Sequence, residues 1–143
     1  MYCPFCFNED TKVLESRVID DSMRRRRSCL KCENRFTTYE RATFNLQVEK
    51  KDNSVQPFDL NKISMSLTLA CGKPNDEHIA DLTRKVQQKI IKKKSSPIKT
   101  SYIGKVILQE LKKYNKIAYL RYVSVHKEMN DPKTFEKELQ LIT

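Results

Sequence analysis

The chain has 143 residues, of which 38% are hydrophobic and 32% charged, and its formal net charge is +10. This balance excludes a fully disordered chain and predicts one domain, or one domain with a small module. Its two glycines exclude a glycine-rich phosphate loop, so a nucleotide site would need side-chain cations and helix termini. The excess of positive charge favours a polyanionic partner. No run of about 18 apolar residues and no signal-peptide pattern occurs, so we expect a cytoplasmic protein with no membrane partner.

The first 32 residues contain two Cys-x-x-Cys pairs, Cys3 with Cys6 and Cys29 with Cys32. Each pair can form a tight turn, and four thiolates at tetrahedral positions suit Zn²⁺. The 22 residues between the pairs leave room for two strands, which is the layout of a zinc ribbon. Two disulfides or an iron–sulfur cluster are the alternatives, and the cytoplasm disfavours disulfides. We therefore predict a ribbon that unfolds when its metal is removed.

Four arginines, Arg24–Arg27, run directly into the second cysteine pair. The segments "TKVLESRVI" and "MRRRRSC" are predicted strands separated by the turn-rich "DDS", and "RFTTYERATFNLQVE" is also rich in strand-forming residues. On a strand, Arg24 and Arg26 would face one side, and Arg25 and Arg27 the other. Further arginines lie on the neighbouring predicted strands: Arg17, Arg35 and Arg41.

The surroundings of the arginine run distinguish it from a basic tail. Residues 1–43 hold nine Lys or Arg against seven Asp or Glu, so the segment is nearly neutral. Guanidinium groups bind phosphates bidentately and read guanine edges in the major groove, which predicts a DNA-binding surface. The alternative is a solvated basic strand with partners among Glu15, Asp20 and Asp21.

A β-hairpin and five helices are predicted after residue 43. Phe44, Leu46 and Val48 alternate with polar residues, "KKDNS" is a turn, and "VQPF" is a short return strand. Asp59, Asn75 or Asp76, and Asp131 are predicted N-caps, and Thr100 or Ser101 is predicted to start the third helix. The fourth helix, over 116–129, is apolar almost all round and is predicted to be central and buried. The chain is therefore predicted to be α+β, with a boundary between residues 1–43 and 44–143.

Apolar periodicity predicts which helical residues face the core. The predicted inward residues of the first three helices are Ile63, Leu67, Ala70 and Cys71; Ile79, Leu82, Val86 and Ile90; and Ile103, Val106, Ile107, Leu111 and Tyr114. Gly72 is predicted to end the first helix. We expect Cys71 to be a small buried hydrophobe rather than a metal ligand.

Three lysines are predicted to converge near the hairpin. Lys50 and Lys51 lie at its tip, and Lys62 lies in the first turn of the following helix, where the helix dipole attracts anions. Together they could hold a triphosphate. The alternative is a solvated face, which is what we expect of Lys92–Lys94.

Together these motifs resemble one bacterial family. "CPFC…ESRVIDD…RRRRSCLKCENRFTTYER", followed by "PFDLNK" and "AYLRYVSV", is similar to the bacterial transcriptional repressor of ribonucleotide reductase genes over about residues 1–139. The resemblance implies a zinc-ribbon DNA-binding domain in residues 1–43. It implies an ATP-cone domain in residues 44–143, a helical bundle lidded by a β-hairpin.

The implied function is regulatory and not enzymatic. The family senses the deoxynucleotide pool and represses reductase synthesis when dATP is plentiful. Its zinc ribbons bind paired boxes in double-stranded promoter DNA, which would bring the cytoplasmic protein to the nucleoid. ATP or dATP, bound by the cone, chooses the homo-oligomer that fits those boxes.

The resemblance also assigns site residues by position. Zinc falls to Cys3, Cys6, Cys29 and Cys32. DNA contact falls to Arg17, Arg24, Arg25, Arg26, Arg27, Arg35 and Arg41. Nucleotide binding falls to Val48, Lys50, Lys51, Gln56, Lys62 and His126.

Four positions depart from the family's pattern. Lys51 replaces an arginine and keeps its positive charge but not the bidentate donor geometry of a guanidinium group. Asn53 replaces a glycine but tolerates a left-handed turn. Gln56 replaces a glutamate that could bond a ribose hydroxyl. His126 replaces a frequent tyrosine whose ring could lie against a nucleotide; it could equally be a packing or surface histidine. These departures bear on the discrimination between ATP and dATP.

Two other classes of function stay open from the residues alone. One is an enzyme that hydrolyses ATP or converts nucleotides, although the chain has no P-loop and no paired-carboxylate motif. His78 and His126 have no obvious nucleophile beside them. The other is a zinc-ribbon module that contacts the transcription machinery and has no sequence-specific affinity for DNA.

Overall fold

A computed structural model describes residues 1–73 and 75–143, whose contacts separate the chain into two units, Met1–Phe44 and Asn45–Thr143. The first unit holds one antiparallel sheet of β1 (Thr11–Ile19), β2 (Ser22–Cys29) and β3 (Arg35–Arg41), in the order β1-β2-β3. These strands confirm the predicted extended runs on both sides of "DDS". Asp20 adopts a φ of 53° in the turn between β1 and β2, a conformation that Asp tolerates better than most residues.

The second unit begins with a small sheet. It contains β4 (Gln47–Glu49), β5 (Val55–Pro57) and β6 (Ile98–Lys99), in the order β5-β4-β6. β4 and β5 form the predicted hairpin, and Asn53 in its turn has a φ of 65°, as its replacement of glycine required. The predicted alternation through Phe44 is wrong as a strand, because β4 begins only at Gln47. β6, which pairs parallel to β4, was not predicted, since two residues carry no periodicity.

Five helices complete the second unit. Their bounds are α1 (Leu60–Cys71), α2 (Asp76–Lys92), α3 (Thr100–Tyr114), α4 (Lys116–His126) and α5 (Pro132–Ile142). Asp59, Asn75 and Asp131 cap α1, α2 and α5 by accepting backbone N–H groups two residues onward, which confirms the predicted starts. Gly72 ends α1 with a φ of 83°, also as predicted.

All five helices contribute to one apolar core. The buried members are Ile63, Leu67, Ala70, Ile79, Leu82, Val86, Ile90, Ile98, Val106, Ile107, Leu111, Ala118, Tyr119, Leu120, Val123 and Ile142. Fully burying one Val, Leu or Ile side chain contributes about 1.5–3 kcal/mol, so this cluster holds the bundle together. No helix among the described residues is long and apolar enough to cross a membrane.

Two predictions about burial and one about a helix boundary need correction. Tyr114 was predicted to face inward, but it is 41% exposed and its hydroxyl lies 3.3 Å from Nδ1 of His78. The fourth helix ends at His126 rather than at residue 129, and its Val125 is 78% exposed. An apolar composition therefore did not distinguish the buried face of α4 from its open face. Cys71 is half-buried against the core, and burial raises the pKa of its thiol.

Candidate functional site

The four predicted metal ligands come together at one end of the first sheet. Their Sγ atoms all lie within 4.8 Å of one another, and the Cys3–Cys32 and Cys6–Cys29 sulfur distances are both 3.6 Å. Four sulfurs placed about 2.3 Å from a zinc ion lie about 3.8 Å apart in a regular tetrahedron. All four cysteines are free of disulfides. The cluster therefore has the size and the donor set of a structural zinc site.

The two cysteine turns have the same backbone geometry. Phe7 and Glu33 adopt φ values of 58° and 60° and donate their N–H groups to the carbonyls of Cys3 and Cys29, at 2.9 and 3.2 Å. Each turn thereby aims two sulfurs at one point. Because each Cys-x-x-Cys pair forms the same turn, the spacing of the cysteines in the sequence was enough to predict the site.

Backbone amides prepare one sulfur for metal. The N–H groups of Cys32 and Lys31 donate to Sγ of Cys29 and lower its pKa to about 6. Asn8's backbone N–H lowers the pKa of Cys6, but desolvation and the three neighbouring sulfurs outweigh it and raise that pKa to about 12. Several adjacent thiolates are thus unfavourable unless a cation such as Zn²⁺ neutralises them.

The predicted DNA-binding arginines divide between two faces of the first sheet. Antiparallel partners share a face, and the register places Arg24 opposite Arg17, and Arg26 opposite Glu15. Ser22 and Ser28 belong to the same face as Arg24 and Arg26 by the period of a strand. Their cross-strand partners add Arg41, Arg35 and Lys12 to that face. We call this set the arginine face: Lys12, Arg17, Arg24, Arg26, Arg35 and Arg41.

The arginine face is largely open to solvent. All its members are exposed except Arg24, which is half-buried, and Glu15 forms an ion pair there with Arg17. Lys12 was not among the predicted residues. Pairing residues outward from the "DDS" turn does not place Lys12 on this face, because a bulge between Val13 and Glu15 shifts the register of β1. Nothing in the sequence indicated that bulge.

The other two arginines of the run are bound within the sheet. Nε of Arg25 lies 3.2 Å from Oε1 of Glu40, and Nε of Arg27 donates to Oγ1 of Thr38 at 3.1 Å. A second nitrogen of Arg27 reaches Oγ1 of Thr11 at 3.5 Å. The strand alternation predicted for the run is therefore present, and its two faces differ in chemistry. Among the described residues, neither Asp20 nor Asp21 forms an ion pair with the run.

A cavity of about 710 Å³ lies between the β4–β5 hairpin and helices α1, α3 and α4. Its volume is typical of a small-molecule site. All six side chains predicted to bind nucleotide line it: Val48, Lys50, Lys51, Gln56, Lys62 and His126. The structure thus brings together residues separated by up to 78 positions in the chain.

The pocket combines three lysines with two helix N-termini. Lys62 lies in the first turn of α1, while Thr100 and Ser101 at the start of α3 also line the cavity. Lys99, at the N-cap of α3, provides no side-chain hydrogen bond to the helix. The sequence predicted Thr100 and Ser101 only as a helix start, because nothing local showed that α3 would point at the hairpin.

His126 forms one wall of the pocket. Its ring stacks on Tyr122 with centroids 5.6 Å apart and an interplanar angle of 21°. The ring lies directly against Gly104, where an added Cβ would overlap Cε1, Nε2 and Nδ1 of His126, closer than van der Waals contact allows. Burial, followed by the charges of Lys51 and Lys127, lowers the pKa of His126, so the ring is neutral near pH 7.

Comparison with known proteins assigns both units. Residues 1–40 match the family model described as the transcriptional repressor NrdR-like N-terminal domain, and residues 46–132 match the ATP cone domain. Among curated proteins, the transcriptional repressor NrdR of Prochlorococcus marinus strain AS9601 is 43% identical over 145 residues, which covers 98% of this chain and 91% of the relative.

Relatives from other bacteria give the same result. The transcriptional repressor NrdR of Finegoldia magna is 39% identical, with 97% of this chain and 96% of the relative covered. That of Corynebacterium diphtheriae is also 39% identical, with 99% and 95% covered. The similarity therefore spans the metal cluster, the arginine face and the pocket alike.

Proposed function

The chain belongs to the NrdR family of transcriptional repressors, and from this membership we propose that it represses ribonucleotide reductase genes under nucleotide control. It is a transcriptional repressor with a zinc ribbon and an ATP-cone domain. In this proposal residues 1–43 bind double-stranded promoter DNA. Residues 44–143 bind ATP or dATP and set the homo-oligomeric state.

One observation carries the proposal. The same chain bears a sheet face with six cations beside a four-cysteine cluster and, in its second unit, a pocket lined by three lysines. Both features suit phosphate-bearing ligands, and a repressor that reads a nucleotide needs one of each. An enzyme would need the pocket but not the arginine face.

We propose that the arginine face is the DNA-binding surface. Its cations project from strands held by the zinc cluster, so little backbone freedom is lost on binding. Arg25 and Arg27, bound to Glu40 and Thr38, would instead hold β2 against β3. The proposal therefore assigns two roles within the arginine run: Arg24 and Arg26 contact DNA, and Arg25 and Arg27 support the sheet.

We propose that the pocket between the hairpin and the helices is the nucleotide site. Lys50, Lys51 and Lys62 would hold the phosphates, and Val48, Gln56 and His126 would contact the nucleoside. ATP and dATP differ by one ribose hydroxyl, and losing one good buried hydrogen bond costs roughly 1–3 kcal/mol. A coupling energy of that size can shift an assembly equilibrium about tenfold.

The end of α4 offers a route from the pocket to the last helix. Glu138 of α5 is buried, accepts a hydrogen bond from Tyr119 of α4 at 2.9 Å and pairs with Lys127. Lys127 directly follows His126, which lines the pocket. A nucleotide that moves His126 would therefore disturb the contact between α4 and α5, and we propose that this changes the contact between cones.

The test is binding to a reductase promoter fragment with ATP, with dATP and with neither, measured by fluorescence anisotropy at several salt concentrations. Arg24→Gln with Arg26→Gln should weaken binding and reduce the log–log salt slope by roughly 1.8 per ribbon, at about 0.9 per lost phosphate contact. Arg25→Gln with Arg27→Gln is the matched pair and should leave the slope nearly unchanged. Equal slopes for both pairs would contradict the proposed face.

Oligomeric state is measured on the same samples by mass photometry. Identical distributions with ATP and dATP would contradict nucleotide-controlled assembly while leaving DNA binding intact. Specific binding to polymerase without promoter affinity would instead favour an interaction module of the transcription machinery.

A further inference from the structure

An ion pair spans the proposed nucleotide pocket. Nζ of Lys51, in the hairpin turn, lies 3.2 Å from Oε1 of Glu128, just beyond the end of α4. Both residues line the cavity, and they are 77 positions apart in the chain. Among the ion pairs of residues 1–73 and 75–143, this one alone joins two side chains that line the pocket.

The backbone holds both ends of the pair in place. Lys51 lies in a turn closed by the hydrogen bond from Lys50 N–H to the carbonyl of Ser54, at 2.8 Å. Glu128 has a φ of 49°, a left-handed conformation that is uncommon for glutamate. Its N–H still donates to the carbonyl of Val125 at 3.2 Å, so the turn that aims the carboxylate is ordered.

The other acids that line the pocket are bonded within their own segments. Asp52 accepts from the N–H and the hydroxyl of Ser54, and these bonds lower its pKa. Asp59 accepts from the N–H of Asn61 and caps α1. Glu128 is thus the pocket acid whose carboxylate bonds to a side chain that a phosphate would need.

We propose that Glu128 competes with nucleotide phosphate for Lys51 and thereby sets how strongly affinity depends on ligand charge. This inference rests on the proposed nucleotide site. A phosphate that binds Lys51 must break the pair and approach a carboxylate, so weakly charged ligands gain little from Lys51. A triphosphate displaces Glu128 and frees the hairpin from the end of α4.

Both partners are about three-quarters exposed, so the pair is weak and easily exchanged. Exposed pairs of this kind shift an equilibrium roughly 1.5- to 5-fold. We therefore expect Glu128→Gln to tighten ATP binding about two- to fivefold at low salt, and less at high salt. Adenosine, which has no phosphate, should bind with unchanged affinity.

The experiment measures dissociation constants of ATP, AMP and adenosine by isothermal titration calorimetry on the full zinc-loaded chain. The variants are Glu128→Gln, Lys51→Gln and the double variant. Glu136→Gln is the matched control, because it removes the same charge from an exposed position of α5 outside the pocket. Glu128→Gln should tighten ATP binding more than AMP binding, and Glu136→Gln should change neither.

The double variant separates competition from general repulsion. If Glu128 acts by holding Lys51, Glu128→Gln should change ATP affinity little in the Lys51→Gln background. An equal gain in both backgrounds, a gain matched by Glu136→Gln, or weaker ATP binding to Glu128→Gln would each overturn the inference. If the unsubstituted chain bound ATP no better than adenosine, the phosphate role of the lysines would fail as well, which identifies the proposed site as the error.

Discussion

Gly104→Ala should destabilise the second unit, although alanine is the better helix former. In a helix interior, replacing Gly by Ala stabilises by about 1 kcal/mol. Here, however, the new Cβ would meet three ring atoms of His126, with Nδ1 only 2.7 Å away. The ring must then leave its stack on Tyr122, and overpacking of this kind costs about 1–3 kcal/mol. We expect the free energy of unfolding of the second unit to fall by up to about 2 kcal/mol.

A second background reverses the sign of the effect. In His126→Ala the ring is absent, so Gly104→Ala should stabilise by about 1 kcal/mol through helix propensity alone. The coupling energy between the two positions should therefore be about 1–3 kcal/mol.

The assay is urea unfolding of the full zinc-loaded chain, followed by circular dichroism at 222 nm. All helices of the described residues lie within Asn45–Thr143, so this signal reports the second unit. A stabilisation of equal size in both backgrounds would refute the contact between Gly104 and the ring of His126. ATP affinity should fall in Gly104→Ala, because both residues line the pocket.

Three further predictions concern the metal, an acid and a histidine. Removing zinc with a chelator at pH 7 should unfold Met1–Phe44 and leave the helical signal intact, as checked by amide NMR spectra with and without metal. Glu138→Gln should destabilise the second unit by about 1–2 kcal/mol, because it weakens the buried contacts to Lys127 and Tyr119, whereas the exposed Glu136→Gln should have little effect. Since burial lowers the folded-state pKa of His126, its contribution to stability is complete above pH 6.5 and falls below it as the unfolded state takes up a proton. Urea unfolding should therefore show that the free energy of unfolding falls less between pH 7.5 and 5 in His126→Phe than in the unsubstituted chain. An equal fall in both would contradict the lowered pKa of His126.

Short-range patterns predicted the parts of this protein that local chemistry decides. Two Cys-x-x-Cys turns each place two sulfurs together, so spacing alone predicted the metal cluster. Asp59, Asn75 and Asp131 cap their helices through residues two positions away, and Asn53 meets the turn conformation by its own backbone preference. Within each cysteine turn, helix cap and hairpin turn the interacting atoms lie within a few residues. The two cysteine pairs, by contrast, meet only because the strands between them pair in the sheet.

Packing decided what the patterns left open. Neither the composition of α4 nor the periodicity of α3 could tell that Val125 and Tyr114 are exposed, because burial depends on which neighbouring helix covers each face. The residues alone suggested three converging lysines, but Thr100, Ser101 and Glu128 joined the pocket only through the crossing of α3 and the end of α4 beside the hairpin.

The arginine run shows the division most clearly. The sequence by itself determined that successive arginines on a strand alternate between two faces, since the period of a strand is two. It did not determine which face is free. Only the pairing of β2 with β1 and β3 placed Glu40 and Thr38 beside Arg25 and Arg27, and left Arg24 and Arg26 among four further cations. The register of a sheet depends on contacts between distant strands, and those contacts exist only in the folded structure.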